Sequence, residues 1–164
     1  MTCVWPMMAM LAIVGSVMAQ EDDPVALYRF ESETALQTDT SGNRHDGRVV
    51  GGATWASGEF GGALKLNGED AYLDCGAAEG LNISARGSVT VWCRPEALQG
   101  GIVNWSTGGN WGDERLVLAV NTWAGAQRMM GCIANGRSFQ QLALDNPPPG
   151  EWTHFAITFS GTEV

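Results

Sequence analysis

The stretch that most constrains this chain runs from Phe60 to Gly76, FGGALKLNGEDAYLDCG. Leu64 and Leu66 alternate with Ala63 and Lys65, and after Asn67-Gly68-Glu69-Asp70 the residues Ala71, Leu73 and Cys75 alternate with Tyr72 and Asp74. Period-two alternation on both sides of Asn-Gly predicts two strands joined by a tight hairpin turn at Asn67-Gly68. Gly61-Gly62 and Gly76 punctuate the two ends. The remaining strands are expected to lie against this hairpin.

The rest of the mature chain repeats the pattern. Val25–Phe30 (VALYRF) predicts a first strand covered on both faces. Arg48-Val49-Val50 ends at Gly51-Gly52, and Ala53-Thr54-Trp55 follows as a short third strand. Leu81-Asn82-Ile83 has room for one helical turn. Ser88–Pro95 is the clearest strand, with Val89, Val91 and Cys93 on one face and Thr90, Trp92 and Arg94 on the other; Pro95 stops it. Strands are further predicted at Gly101–Trp105, at Arg115–Asn121 with Leu116, Leu118 and Val120 on one face, and at Met129–Ala134. Asn135-Gly136 makes a second hairpin turn into Phe139–Leu144, and Glu151–Ser160 is the last full strand, with Phe155, Ile157 and Phe159 alternating with His154, Ala156 and Thr158. Short alternating runs separated by turn residues, with no helical apolar period, define an all-β, antiparallel two-sheet sandwich.

At 164 residues there is room for one domain. The formal net charge of −9 argues against nucleic acid and anionic membrane, which both require Lys/Arg patches. Met7–Val17 is almost wholly apolar and ends in Gly15-Ser16-Val17-Met18-Ala19, a pattern that predicts a secretory signal peptide over residues 1–19, though no Lys or Arg precedes the apolar run. Residues 20–24 form an acidic leader and the domain occupies 25–164, placing the product outside the cell, in a periplasm or on a cell surface, with no membrane insertion once the signal is removed. Cys75, Cys93 and Cys132 remain in the mature chain. They read as small buried hydrophobes, and one disulfide of undetermined pairing stands as the alternative.

The pieces LYRFE, DTSGNRHDG, FGGALKLNGEDAYLDCG, SVTVWCRPE and GEWTHFAITFSGTEV, spread from Leu27 to Val164, resemble the laminin-G-like, concanavalin-A-like jelly-roll family found in secreted bacterial proteins. The resemblance implies a jelly-roll sandwich that continues past Thr162-Glu163-Val164 into further strands. It implies glycan-binding or adhesion modules, or domains appended to enzymes; fold alone does not choose among them.

Three features are candidates for chemistry. The loop 39–47 concentrates Asp39, Ser41, Asn43 and Asp46 with Gly42 and Gly47. Calcium takes about six to eight oxygens, and such a loop supplies several, as in many relatives implied by the resemblance; the alternative is a loop whose side chains bond their own backbone. The second feature is a set of rings, Trp92, Trp105, Trp111 and Trp123, on which the C–H face of a sugar can stack, with Arg94, Asn104 and Asn110 as hydroxyl partners. Packing in the core is the alternative for each ring, and Trp55 and Trp152 are assigned to packing. The third is catalysis. Glucanases of this fold carry Glu-x-Asp-x-x-Glu, and that spacing does not occur here; His45 and His154 are isolated. The expectation is a secreted, non-catalytic module that binds glycan or a surface protein, with a glycoside hydrolase or a ligand-free spacer as the competing assignments.

Overall fold

A computed structural model describes residues 23–76, 86–97, 99–106, 114–121, 128–134 and 139–160. The expected signal peptide over residues 1–19, the expected helical turn at Leu81-Asn82-Ile83, the expected turn at Asn135-Gly136 and residues 161–164 lie outside them.

Ten strands account for most of the described chain: β1 (Arg48–Val50), β2 (Thr54–Gly58), β3 (Gly61–Lys65), β4 (Tyr72–Asp74), β5 (Arg86–Cys93), β6 (Gly100–Ser106), β7 (Glu114–Asn121), β8 (Arg128–Ala134), β9 (Phe139–Asp145) and β10 (Thr153–Ser160). A single 3-10 turn, Glu33–Ala35, is the only helical element among the described residues. All ladders are antiparallel. The largest sheet is the meander β6-β7-β8-β9, and the pairs β1-β4, β2-β3 and β5-β10 complete the set.

The alternation in β5, β7 and β10 is realised as read. Leu116, Leu118 and Val120 of β7 are buried, as is Ile157 of β10. Leu116 and Ile157 form one cluster, with Val89, Val103 and Trp105 packed against it. The β5-β10 pair therefore faces the meander, side chains interdigitating as in a sandwich. The approach is close at Gly131, where a Cβ would stand 2.9 Å from Ile157 Cδ1.

Register fixes which residues share the inner face. Leu118, Gly131 and Leu142 form one cross-strand row, and Val120, Met129 and Leu144 the next. Exposure rises along these rows, from 4% at Leu118 to 45% at Leu142 and from 2% at Val120 to 60% at Leu144. Among the described residues, the facing two-stranded pair does not reach over edge strand β9.

Two expectations need correction. The Asn67-Gly68 turn does not join a hairpin. β3 pairs with β2 and β4 with β1, so the tight hairpin is β2-β3, closed by Gly58 opposite Gly61 and nested between β1 and β4. The reason lies in the Asn67 side chain. Its Oδ1 accepts the backbone N–H groups of Glu69 (3.0 Å), Asp70 (3.2 Å) and Ala71 (3.0 Å), and its Nδ2 donates to the Gly51 carbonyl (3.0 Å). Donors that a two-residue hairpin would offer across a ladder are consumed locally, which is how Asx turns compete with sheet. The Gly51-Gly52 turn also backs directly onto this loop, since a Cβ at Gly51 would fall 2.0 Å from the Asp70 carbonyl oxygen.

The other correction concerns Val25–Phe30, which makes one bridge, Tyr28 to Asp39, and no ladder. Leu27 donates its N–H to the Asp39 carboxylate (2.9 Å) and accepts from the Thr40 N–H (2.8 Å). A side chain has taken the place of a strand partner. Phe30, at φ 55°, then turns the chain out of extended conformation.

Candidate functional site

The outward face of β5-β10 is built by strand alternation. Because Val89, Val91 and Cys93 turn inward, Thr90 and Trp92 turn outward, and the register sets His154 opposite Trp92 and Ala156 opposite Thr90. The Trp92 and His154 rings lie 5.1 Å apart, tilted by 39°. One step along the pair, the Arg94 guanidinium sits 5.4 Å over the Trp152 ring and donates to Glu96 Oε1 at 3.4 Å. At the other end the Ser88 and Thr158 hydroxyls are hydrogen-bonded at 3.0 Å.

Phe60 joins this surface from a separate element. It occupies the tip of the β2-β3 hairpin and meets Trp92 edge-to-face, centroids 5.1 Å apart and planes at 74°. Edge-to-face contact is a favourable arrangement of two quadrupoles. Phe60 is 74% exposed and Trp92 45%. The result is an open aromatic surface of Phe60, Trp92 and His154 bordered by a guanidinium and hydroxyls. Sugar C–H faces can stack on such rings while ring hydroxyls find the polar border.

Of the residues singled out for ligand contact, Trp92 and Arg94 come together here. Asn104 is exposed on β6. Trp105 stands opposite Leu116 and packs against the buried cluster, so it belongs to the inner face. Asn110, Trp111 and Trp123 lie outside the described residues. Trp55 is 40% exposed, and its Nε1 donates to the Phe30 carbonyl at 3.0 Å, which ties the hairpin to the N-terminal segment. Sequence alternation had placed His154 on the face opposite Ile157, but Phe60 carried no signal, since its contact with Trp92 crosses elements that are not paired.

The 39–47 loop is organised around one buried carboxylate. Asp39 Oδ1 accepts from the N–H groups of Leu27 and Ser41, both at 2.9 Å; Oδ2 accepts from Ser41 Oγ at 2.8 Å and the His45 N–H at 2.9 Å. Gly42 at φ 93° and Arg44 at φ 63° let the backbone wrap around it. Burial works to raise the Asp39 pKa, but these four donors prevail and hold the carboxyl well below the usual range. Asp46 Oδ1 accepts the Asp39 N–H at 2.8 Å, and Asn43 Nδ2 donates to the Val25 carbonyl at 3.0 Å. A concavity of N–H groups suits an anion, whereas calcium needs oxygens converging on one point. As arranged, Asp39, Ser41, Asn43 and Asp46 all take part in hydrogen bonds that tie the loop to its own backbone and to the N-terminal segment. Among the described residues, no three His, Cys, Asp or Glu side chains are placed to share a metal ion.

Tyr28 closes the same region. Its hydroxyl donates to the His45 carbonyl and meets the Cys75 thiol. Burial first, then the Cys75 hydrogen bond and the nearby Asp39 and Asp46 carboxylates, raise its pKa above the ordinary tyrosine value. Cys75 and Cys93 are both free thiols, each partly buried, and desolvation pushes Cys93 up to about 11. The side chain of Cys132 lies outside what is described.

An inner cluster shared by a four-stranded meander and a facing antiparallel pair, with rings displayed on an outer face, defines an all-β sandwich of lectin-like type. The chain belongs to the concanavalin A-like lectin/glucanases superfamily, whose family model matches residues 67–164. That match takes in β4 to β10, including Trp92, Arg94 and His154; the 39–47 loop and Phe60 precede it. No curated protein and no solved structure matches the chain. No helix among the described residues is long and apolar enough to cross a membrane.

Proposed function

We propose that this domain is a secreted, non-catalytic module that recognises glycan through the outward face of β5-β10. The observation that supports this is the Trp92 ring, exposed on a sheet face and flanked by Phe60 and His154 with Arg94 one step away. Superfamily membership is consistent with recognition of carbohydrate or protein, and the open rings favour carbohydrate. The absence of a Glu-x-Asp-x-x-Glu strand from the sequence supports binding over hydrolysis. The apolar run and small-residue site at 1–19 support export. The loop around Asp39 serves as a hydrogen-bonded clamp on the N-terminal segment, and calcium is not assigned to it.

Trp92→Ala tests the proposal. An aromatic anchor at the centre of a site is worth about 2 kcal/mol, or near thirtyfold in affinity. Glycan-array and calorimetric binding should fall by that order while the circular dichroism spectrum stays unchanged. Equal binding by the variant and the parent would remove this face as the site.

A further inference from the structure

The border of the aromatic face carries a charge pattern that bears on which glycans it admits. Arg94 follows Trp92 by two residues, just past the end of β5, and its guanidinium is doubly engaged, 5.4 Å from the Trp152 ring centroid and hydrogen-bonded to Glu96. Carboxylates outnumber it. Glu59 adjoins Phe60, Glu96 follows Arg94 by two residues, and Glu151 adjoins Trp152; all three are exposed. The chain as a whole carries −9.

Resting on the glycan-binding face proposed above, we infer that the Arg94–Glu96 pair is a specificity-determining element that biases this face toward uncharged glycans. A guanidinium anchored beside an aromatic ring is otherwise well prepared to take a carboxylate bidentately. Glu96 occupies that guanidinium, and a uronate arriving there meets a second carboxylate. Two unit charges about 4 Å apart in water interact by ~1 kcal/mol, which is roughly fivefold in affinity. Specificity of this kind arises from a repulsive group as much as from an attractive one. Stacking on Trp92 is indifferent to salt, so binding of neutral glycans is insensitive to ionic strength, while rejection of uronates weakens as salt screens the carboxylates.

The test is an array of neutral, uronate-containing and sulfated glycans probed with the parent chain, with Glu96→Gln, and with the double variant Arg94→Gln/Glu96→Gln. The parent should bind neutral glycans about fivefold more tightly than uronate-containing ones. Glu96→Gln should keep that binding and gain uronate binding by about fivefold over the parent. The double variant should keep the relief from Glu96 repulsion, and any further gain seen in Glu96→Gln alone is assigned to the freed guanidinium. Parent binding to acidic glycans as strong as to neutral ones, or no gain in Glu96→Gln, would overturn the inference and leave the glycan face standing. No binding by any of the three would remove the glycan face and this inference with it.

Discussion

Asp39 shows how one side chain can organise a segment. Its two oxygens accept four hydrogen bonds, from Leu27, Ser41 twice and His45, and so join the N-terminal segment to the 39–47 loop. Asp39→Asn keeps the shape but turns an acceptor into a donor facing other donors. Hydrogen bonds to a charged acceptor contribute about 1.5–3 kcal/mol each, and a buried group left unpaired costs a similar amount. The variant should lose about 2–3 kcal/mol of stability in urea denaturation. Because the carboxylate is already satisfied, the melting temperature of the parent should be the same in EDTA and in millimolar calcium. A calcium-dependent rise would restore the metal-binding assignment of Asp39, Ser41, Asn43 and Asp46.

At the scale of elements, the β2-β3 hairpin is positioned by a missing side chain. Gly62 of β3 lies beneath the hydrogen bond from Trp55 Nε1 to the Phe30 carbonyl. A Cβ there would stand 1.9 Å from the Phe30 oxygen and 2.4 Å from Trp55 Nε1. Backbone cannot yield by that much without breaking the contact. Gly62→Ala should therefore destabilise the domain by about 1–3 kcal/mol, the usual range for overpacking, read as a lower urea midpoint at unchanged slope. Since the same hairpin carries Phe60 to Trp92, the substitution should also weaken glycan binding. Elements were largely legible in advance. β5, β7 and β10 follow from strict alternation, and the facing of Leu116, Leu118 and Val120 toward one side was correct. Pairing was not legible. Asn67 looked like a hairpin turn because Asn-Gly is its strongest local signal, yet its carboxamide captures three amides and sends β3 and β4 to different partners.

For the whole molecule, the shifted groups set both limits of its pH stability. Asp39 and Asp74 have depressed pKa values in the folded state, Asp39 through its four donors against the opposing effect of burial, and Asp74 through the Gly76 N–H and then Arg48. Both bind protons more readily when unfolded. Their contribution is fully present above the unfolded carboxyl value, about 3.9, and is lost as pH falls below it. Cys93 is shifted the other way, from 9.0 to about 11 by desolvation. Its contribution is present below 9.0 and is lost as pH rises toward 11. Urea midpoints should thus plateau from about pH 5 to 8 and decline on both sides. Cys93→Ser should flatten the alkaline limb, and an unchanged limb would show that another group governs it.

The sequence by itself determined the fold class and most strand positions, because alternation and turn residues are local properties of the chain and a half-buried strand requires them. It also marked Trp92 and Arg94 as outward neighbours, since side chains two apart on a strand share a face. Tertiary structure alone decided strand pairing, the turning of Trp105 into the core and the meeting of Phe60 with Trp92. It also decided the use of Asp39 as a clamp. Each of these depends on contacts between residues far apart in the chain, or on competition for the same amide hydrogen, and neither is written in local spacing.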